Sequence, residues 1–386
     1  MRYHHRFFLS CACLFFTGCL ALNASLPLPW HKEHFTTGPM VQLGDTDGKT
    51  AVTIAWRTEA PANSTVRYGK TSYAEHEATE PFVSTQRHTM PLVDLEPSTC
   101  YEYRAQSNEK HIGSGRFCTF KKPNEPFSFA VFGDSGYGRS VQRTIADLIE
   151  RQRTDFVIHT GDLIYPYGKE QKYRPFLYKP YKRILANTFF FPSMGNHDAR
   201  TADGAPLLNN FRLPNQKSYY SFMYANAYVI ALDSTRVNDP AQTVWLIQEL
   251  VYANVHPDIR WRFVFFHHPP YSNKEGYDGD GLVRERWAPF FYYGNVDVVF
   301  SGHNHIYTRF RRLDDPLSMK HTTYIIEGVG GREHYETIKR DDPRVAATDG
   351  SAYGFGLVEI KGNNLRFRHL THENKIIDEF IIAHGQ

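Results

Sequence analysis

Between Pro39 and Phe120 the apolar residues come in short alternating runs. "AVTIAWRT" puts Val52, Ile54 and Trp56 on one face, "STVRYG" follows, "LEPSTCYEYRAQ" alternates again, and "GSGRFCTF" closes the segment. Turn-rich stretches separate these runs, which predicts an antiparallel β-sandwich. Trp56 reads as a core anchor, with Tyr101 and Tyr103 as packing or corner residues, and no reactive groups concentrate there. The "KPNEPF" stretch ending at Phe127 reads as a linker, because its two prolines interrupt helix and strand alike. Beyond it the texture changes. "FSFAVFGD" and "DFVIHTGD" are buried strands, and between them Val141, Ile145, Leu148 and Ile149 recur at helical spacing. Further strands fit Phe189 to Met194, Tyr228 to Asp233, Arg262 to His267 and Val296 to Ser301, with a helix from Ala241 to Asn254. This alternation predicts α/β layering, and the tail from Thr322 onward reads mostly as β.

Length and composition agree with that division. The 386 residues suit two domains, and 41% hydrophobic with 15% aromatic content can fill both cores. The formal charge of +3 includes Arg2 and Arg6, without which 42 basic residues face 41 acidic ones. No basic run or stripe stands out, so nothing predicts a nucleic-acid partner. The leader "MRYHHRFFLSCACLFFTGCLALNAS" has a basic start, an apolar run too short for a comfortable membrane span, and small residues after it. That is export-signal architecture over residues 1–24, implying a periplasmic or extracellular protein. Phe16-Thr17-Gly18-Cys19 resembles a bacterial lipobox, which would make Cys19 a lipid anchor. Of five cysteines only Cys100 and Cys118 lie outside the leader. A disulfide between them would contribute about 3 kcal/mol in an oxidising compartment; the alternative is two free buried thiols.

In the second domain, strand after strand ends in a polar side chain beside glycine or proline. In order these are "GDSG" (Asp134), "GDLIY" (Asp162, Tyr165), "GNHD" (Asn196, His197), "FVFFHHPP" (His267, His268) and "GHNH" (His303, His305). Any one of them is an ordinary turn or a core histidine. Together they can converge, because sites in open α/β sheets form outside the carboxyl ends of strands. Carboxylate, imidazole, amide oxygen and phenol suit hard or borderline metal ions. A two-metal site that clamps a phosphoryl group needs a bridging carboxylate, and Asp162, in the middle of the set, is the natural one.

These five motifs resemble those of the calcineurin-like metallophosphoesterases, and "GDLIY" is similar to the purple acid phosphatase branch. "VTIAWRT", "VRYG" and "LEPSTCYEYR" likewise resemble the fibronectin-III-like sandwich that precedes the plant-type enzymes. The resemblance implies such a domain over residues 36–121 and a layered αββα metallophosphoesterase domain over 126–386. It places a first metal on Asp134, Asp162, Tyr165 and His305, a second on Asp162, Asn196, His267 and His303, and His197 at the substrate phosphate. It implies hydrolysis of small phosphate monoesters by in-line attack of a metal-bound hydroxide, with His197 protonating the leaving oxygen. In the wider superfamily a histidine follows the first Asp at a position held here by Gly136. Tyr165 can replace that ligand. A phenol ionises there only beside a strong Lewis acid, which indicates Fe(III), with Fe(II), Zn(II) or Mn(II) as the second ion.

One departure concerns the substrate. Plant-type enzymes carry further histidines shortly after the His267 position, whereas "HHPPYSNKEGYDGDG" offers only His268, Lys274 and Tyr277. Strand alternation turns His268 away from the site, leaving Lys274 and Tyr277 as substrate contacts. "GVGGREHYE" follows a strand and can line the cleft with Arg332 and His334. Asp198 and Asp233 are expected to brace ligands. His159 reads as a core residue, and no motif surrounds His88, His111, His369 or His372. Two rival readings stand beside the monoesterase: a phosphodiesterase or nucleotide hydrolase on the same dimetal core, and a catalytically inert surface protein using the fold as a scaffold.

Overall fold

The computed structural model describes residues 36–311, 322–334 and 337–385; the expected export signal (1–24) and Cys19 lie outside the described residues. In the front region β1 (Thr37–Gln42), β2 (Val52–Gly69), β3 (His76–Leu92), β4 (Cys100–Ser107) and β5 (Lys110–Cys118) pair antiparallel throughout. "AVTIAWRT" and "STVRYG", expected as separate strands, are two halves of β2, which pairs with β1 along its first half and with β4 along its last. Its register with β3 shifts between Arg57 and Ser64, around Pro61, which has no N–H for the ladder. Trp56 in the first half donates its indole N–H to Ser107 Oγ at the end of β4 (2.9 Å), above buried Ile54, Val66 and Tyr103. Cys100 and Cys118 are opposite one another on β4 and β5 and are joined as a disulfide.

Next come β6 (Phe127–Phe132), α1 (Ser140–Gln152), β7 (Phe156–His159), α2 (Lys182–Asn187), β8 (Phe189–Pro192), α3 (Asn196–Ala199) and α4 (Ala205–Asn210). They are followed by β9 (Tyr220–Tyr224), β10 (Ala227–Ala231), α5 (Pro240–Val255), β11 (Trp261–Phe265), α6 (Gly281–Tyr293) and β12 (Val298–Ser301). The tail adds β13 (Tyr307–Phe310), β14 (Thr323–Glu327), β15 (Val345–Asp349), β16 (Gly354–Lys361), β17 (Asn364–Thr371) and β18 (Ile376–Ala383).

These strands form two sheets, ordered β18-β17-β16-β6-β7-β8 and β15-β13-β14-β12-β11-β10-β9. Each has a parallel core, β6-β7-β8 in one and β14-β12-β11-β10 in the other. The sheets pack face to face, with Phe129 edge-on to Phe263 at 5.2 Å and Phe191 stacked on Phe222 at 3.9 Å. On one outer face α1 buries Ile145 and Ile149; on the other, α5 and α6 bury Leu246, Leu250, Trp287 and Phe291. The result is a layered αββα core. Strands covered on both faces cannot alternate with water, which is why they read as continuous apolar runs. The front sheet shares this core through Phe120, whose ring meets Phe189 at 4.9 Å and Tyr224 at 4.7 Å. Tyr103 Oη donates to the Ala186 carbonyl (2.8 Å), and Arg57 pairs with Glu170, so the front sheet is fastened to the core by polar contacts as well.

Candidate metal centre

The loops leaving β6, β7, β8, β11 and β12 carry Asp134, Asp162 with Tyr165, Asn196 with His197, His267, and His303 with His305. Three of these residues turn sharply to face a common point. Asp134, Asp162 and His303 have φ values of 56°, 55° and 66°, a left-handed conformation costing a non-glycine residue about 1–3 kcal/mol. The loops also touch. A Cβ at Gly195 would lie 2.1 Å from Asp162 N, so only glycine lets the β8 loop approach closely enough for His197 N–H to reach Asp162 Oδ1 (2.8 Å).

The side chains meet in two adjoining groups. In the first, Tyr165 Oη lies 2.9 Å from Asp134 Oδ1 and 3.2 Å from His305 Nε2, and His305 Nε2 lies 3.5 Å from Asp134 Oδ1. In the second, Asn196 Oδ1 lies 2.9 Å from His267 Nε2 and 3.1 Å from His303 Nδ1, and the two imidazole nitrogens are 3.3 Å apart. Asp162 belongs to both neighbourhoods: its Oδ2 is 3.5 Å from His267 Nε2, and its carboxylate acts on the Tyr165 phenol. Asp134, Asp162 and His267 bring one ligand atom each to within 4.8 Å of one another.

The imidazoles are oriented from behind. His267 Nδ1 donates to the Thr160 carbonyl (2.9 Å) and His305 Nδ1 to the Glu333 carbonyl. Each bond leaves Nε2 facing the cluster, the usual arrangement of a histidine ligand. Asn196 Oδ1, His303 Nδ1 and His267 Nε2 are thus in mutual contact, an arrangement that positive charge, from a proton on His267 or from a shared cation, reconciles. Burial, and next the neighbouring His267, push His303 down to about 2, so it remains neutral. Burial also disfavours a charged His267, yet Asp162 and Asp134 overcome this and raise it to about 9, so a proton there can supply the positive charge. Burial works against Asp162 ionising as well, but His267 and His197 hold it below the ordinary carboxylate range. Burial and the two carboxylates push the Tyr165 phenol well above its usual value, so its ionisation requires a strong Lewis acid. The donor set fits a pair of metal ions.

The calcineurin-like phosphoesterase family model matches residues 127–307, the stretch that carries all these donors. Purple acid phosphatase 1 of Ipomoea batatas is 25% identical, over 90% of this chain and 84% of its own. The Fe(3+)-Zn(2+) purple acid phosphatase 12 of Arabidopsis thaliana is 27% identical, over 83% of this chain and 78% of its own. Residues 127–307 are a calcineurin-like phosphoesterase domain, and over most of its length the chain is similar to purple acid phosphatases. A solved purple acid phosphatase from yellow lupin (Lupinus luteus) seeds shares the fold of this phosphoesterase, with a TM-score of 0.78 at 18% identity over 91% of this chain and 74% of that one.

The remaining residues named from the sequence divide. His197 is half-buried over the Tyr165 ring (4.4 Å), with Nδ1 bonded to the Pro166 carbonyl at 2.7 Å and Nε2 3.9 Å from Asp162 Oδ2. Tyr277 comes near the cluster, its ring 6.0 Å from that of His303. Lys274 is in the same loop, where its backbone N–H bonds Ser272 Oγ and the residue pairs with Ile338. Asp198 braces two ligand loops, accepting from Leu163 N and Ile164 N (both 3.0 Å) and from Gly195 N (3.2 Å).

Two readings are corrected. His268 does not turn away: β11 ends at Phe265, so strand alternation no longer governs it. Its ring instead lies 4.6 Å from that of His303, with Nδ1 bonded to Ser234 Oγ at 2.8 Å. Asp233 caps the turn beginning at Ser234, through Thr235 N, rather than supporting a ligand. His159 is a core residue, bonded to Ser135 Oγ at 2.8 Å. The carbonyls of Thr160 and Glu333 that orient ligands went unread, because backbone groups leave no trace in side-chain pattern.

Proposed function

We propose that this phosphoesterase is an exported phosphatase that hydrolyses small phosphate monoesters at a dimetal centre. The observation that carries the reading is the pair of donor groups joined through Asp162. Asp134, Asp162, Tyr165 and His305 would hold Fe(III); Asp162, Asn196, His267 and His303 would hold Fe(II), Zn(II) or Mn(II). The Fe(3+)-Zn(2+) relative in Arabidopsis thaliana supports that pairing. Such ions, when bound, offset phosphate charge and lower the pKa of water toward about 7. The chain's own residues do the rest. His267 and His305 are locked with one nitrogen forward, so little reorganisation accompanies loading. Bonding of His197 Nδ1–H to the Pro166 carbonyl turns Nε2 forward, and in the imidazolium form the second proton, on Nε2, passes to the leaving oxygen. Export rests on the basic and apolar leader; among the described residues no helix is long and apolar enough to cross a membrane.

Metal analysis and a visible spectrum, alongside turnover of an aryl phosphate and a bis-aryl phosphate, test the reading. Two ions per chain, a phenolate-to-iron band lost in Tyr165→Phe, and faster monoester cleavage are expected. Full activity in Asp162→Ala or Asn196→Ala would refute the assignments, and metal-free protein inert to both esters would favour a scaffold.

A further inference from the structure

The loop after β14 holds a cation against the first donor group. Gly330 N–H bonds the Gly133 carbonyl (2.9 Å), Arg332 N–H bonds the Asp134 carbonyl (2.8 Å), and the Glu333 carbonyl receives His305 Nδ1–H. The backbone of residues 330–333 is therefore stitched to two of the proposed ligands. From it the Arg332 guanidinium extends over two phenol rings, 4.3 Å from the Tyr137 ring and 5.1 Å from that of Tyr165. Among the described residues no carboxylate hydrogen-bonds it. The nearest, Glu333 Oε2, is 3.7 Å away, and the other oxygen of that carboxylate is engaged by Arg139.

Such a group has its stem packed and, among the described residues, gives its planar fork of N–H donors to no carboxylate in a hydrogen bond. Its side chain is 26% exposed and that of His197 is 22% exposed, and both lean on the Tyr165 ring, so each combines contact with that phenol and access to solvent. The loop after His267 supplies no further histidine beyond His268, whose ring is turned onto His303.

We propose that Arg332 is a substrate-binding, specificity-determining residue: its guanidinium takes the unesterified oxygens of the phosphoryl group and favours monoesters over diesters. This rests on the dimetal phosphatase reading. A monoester dianion offers the fork one more anionic oxygen than a diester, in which that oxygen carries a second organic group. Charge-assisted hydrogen bonds are the strong ones, and with two phosphoryl oxygens given to the ions the centre would hold, only a monoester keeps a third unesterified oxygen for the fork. The rings of Tyr137 and Tyr165 hold the fork in place before substrate arrives, reducing the entropy lost on binding.

The test uses metal-loaded wild-type protein with Arg332→Met, which keeps an unbranched apolar stem over the rings, and Arg332→Lys, which keeps the charge without the fork. Three quantities are compared: the calorimetric affinity for inorganic phosphate, kcat and KM for an aryl phosphate, and the monoester-to-diester ratio of kcat/KM. In Arg332→Met, phosphate affinity is expected to fall and KM for the monoester to rise roughly ten- to hundredfold. Metal content and the visible band should be unchanged, diester turnover should move far less, and Arg332→Lys should recover part of the loss. Phosphate affinity and ester ratio unchanged in Arg332→Met would confine Arg332 to packing and overturn the proposal. If Arg332→Met fails to fold, Arg332→Lys decides, since a fork-dependent site must still lose phosphate affinity. Wild-type protein that loads metal but binds no phosphate would instead overturn the phosphatase reading, and this proposal with it.

Discussion

Gly136 offers the sharpest trial of the proposal that Tyr165 is a ligand in place of a histidine. A Cβ at this position would lie 1.4 Å from Leu163 O, 2.2 Å from Leu163 C and 2.8 Å from Ile164 N. All three obstacles are backbone, so no rotamer change relieves them. The Leu163–Tyr165 segment is also held on both sides: Tyr165 N–H bonds the Gly136 carbonyl at 2.9 Å, while Leu163 N and Ile164 N bond Asp198. For Gly136→Ala, Leu163 O must retreat from 1.4 Å to the 3.4 Å of ordinary contact, about 2 Å. Overpacking of this kind costs about 1–3 kcal/mol, and loosening a buried N–H adds about 1–3 kcal/mol, for a destabilisation on the order of 2–6 kcal/mol. The chemical consequence is larger. A shift of that size carries Tyr165 Oη out of its 2.9 Å contact with Asp134 and its 3.2 Å contact with His305, so the three can no longer share an ion. Urea unfolding, metal stoichiometry and the visible spectrum read the outcome: lower stability, one ion lost or weakened, and no phenolate-to-iron band. Gly136→His combined with Tyr165→Phe should not restore the site, although it recreates the Asp-x-His pattern, because the histidine needs the same Cβ. A Gly136→Ala protein with two ions, an unchanged spectrum and wild-type stability would refute the reasoning.

Two further predictions concern the front sheet. His88 is 1% exposed, stacked on Trp56 at 4.8 Å, with its nitrogens bonded to Thr58 Oγ1 (2.8 Å) and Ser64 Oγ (2.9 Å). Burial lowers its pKa from 6.5 to about 4, so the unfolded chain binds the extra proton between those values. Stability should therefore fall as pH drops through that window, by no more than about 3 kcal/mol. Urea unfolding of wild type and His88→Phe at several pH values checks this; parallel pH dependences would exclude His88 as the source. Replacing both Cys100 and Cys118 by Ala opens a loop of 18 residues and should cost about 3 kcal/mol. The urea midpoint should drop while kcat under native conditions is kept, and an unchanged midpoint would show that the bond constrains nothing.

The site was more legible than the fold around it, for a physical reason. Parallel strands buried on both faces write themselves as apolar runs, and Asp134, Asp162, Asn196 and His303 each stand beyond such a run directly after a glycine, which at Gly195 a close approach demands. Legibility ended where periodicity did. Helix α6 was not seen, since Pro289 interrupts it and apolar and polar residues are scattered around it. Strand β2 read as two because Pro61 breaks its alternation. His268 was misplaced by extending strand geometry two residues past the end of β11. Arg332 was read with His334 as lining the cleft, but its contacts with Tyr137 and Tyr165, far away in sequence, left no trace in the pattern.

The backbone at the cluster explains why the centre and the fold depend on each other. Asp134, Asp162 and His303 each hold a left-handed conformation, together an expense of several kcal/mol at about 1–3 kcal/mol per residue. Asp134 and Asp162 also bury two carboxylates almost wholly out of water, an arrangement that is unfavourable without positive charge between them. Backbone contacts over-determine the strained turns: Asp134 N–H bonds the Gly161 carbonyl at 3.0 Å, and Gly302 N–H bonds the His267 carbonyl at 3.0 Å. Each ligand loop is thus held by the loop that carries the next ligand, not by its own strand alone. Releasing any one loop would relieve local strain but misalign its neighbour's donor. The geometry therefore persists as a unit, and positive charge at its centre, whether a proton on His267 or metal ions, offsets the charge that the loops bring together.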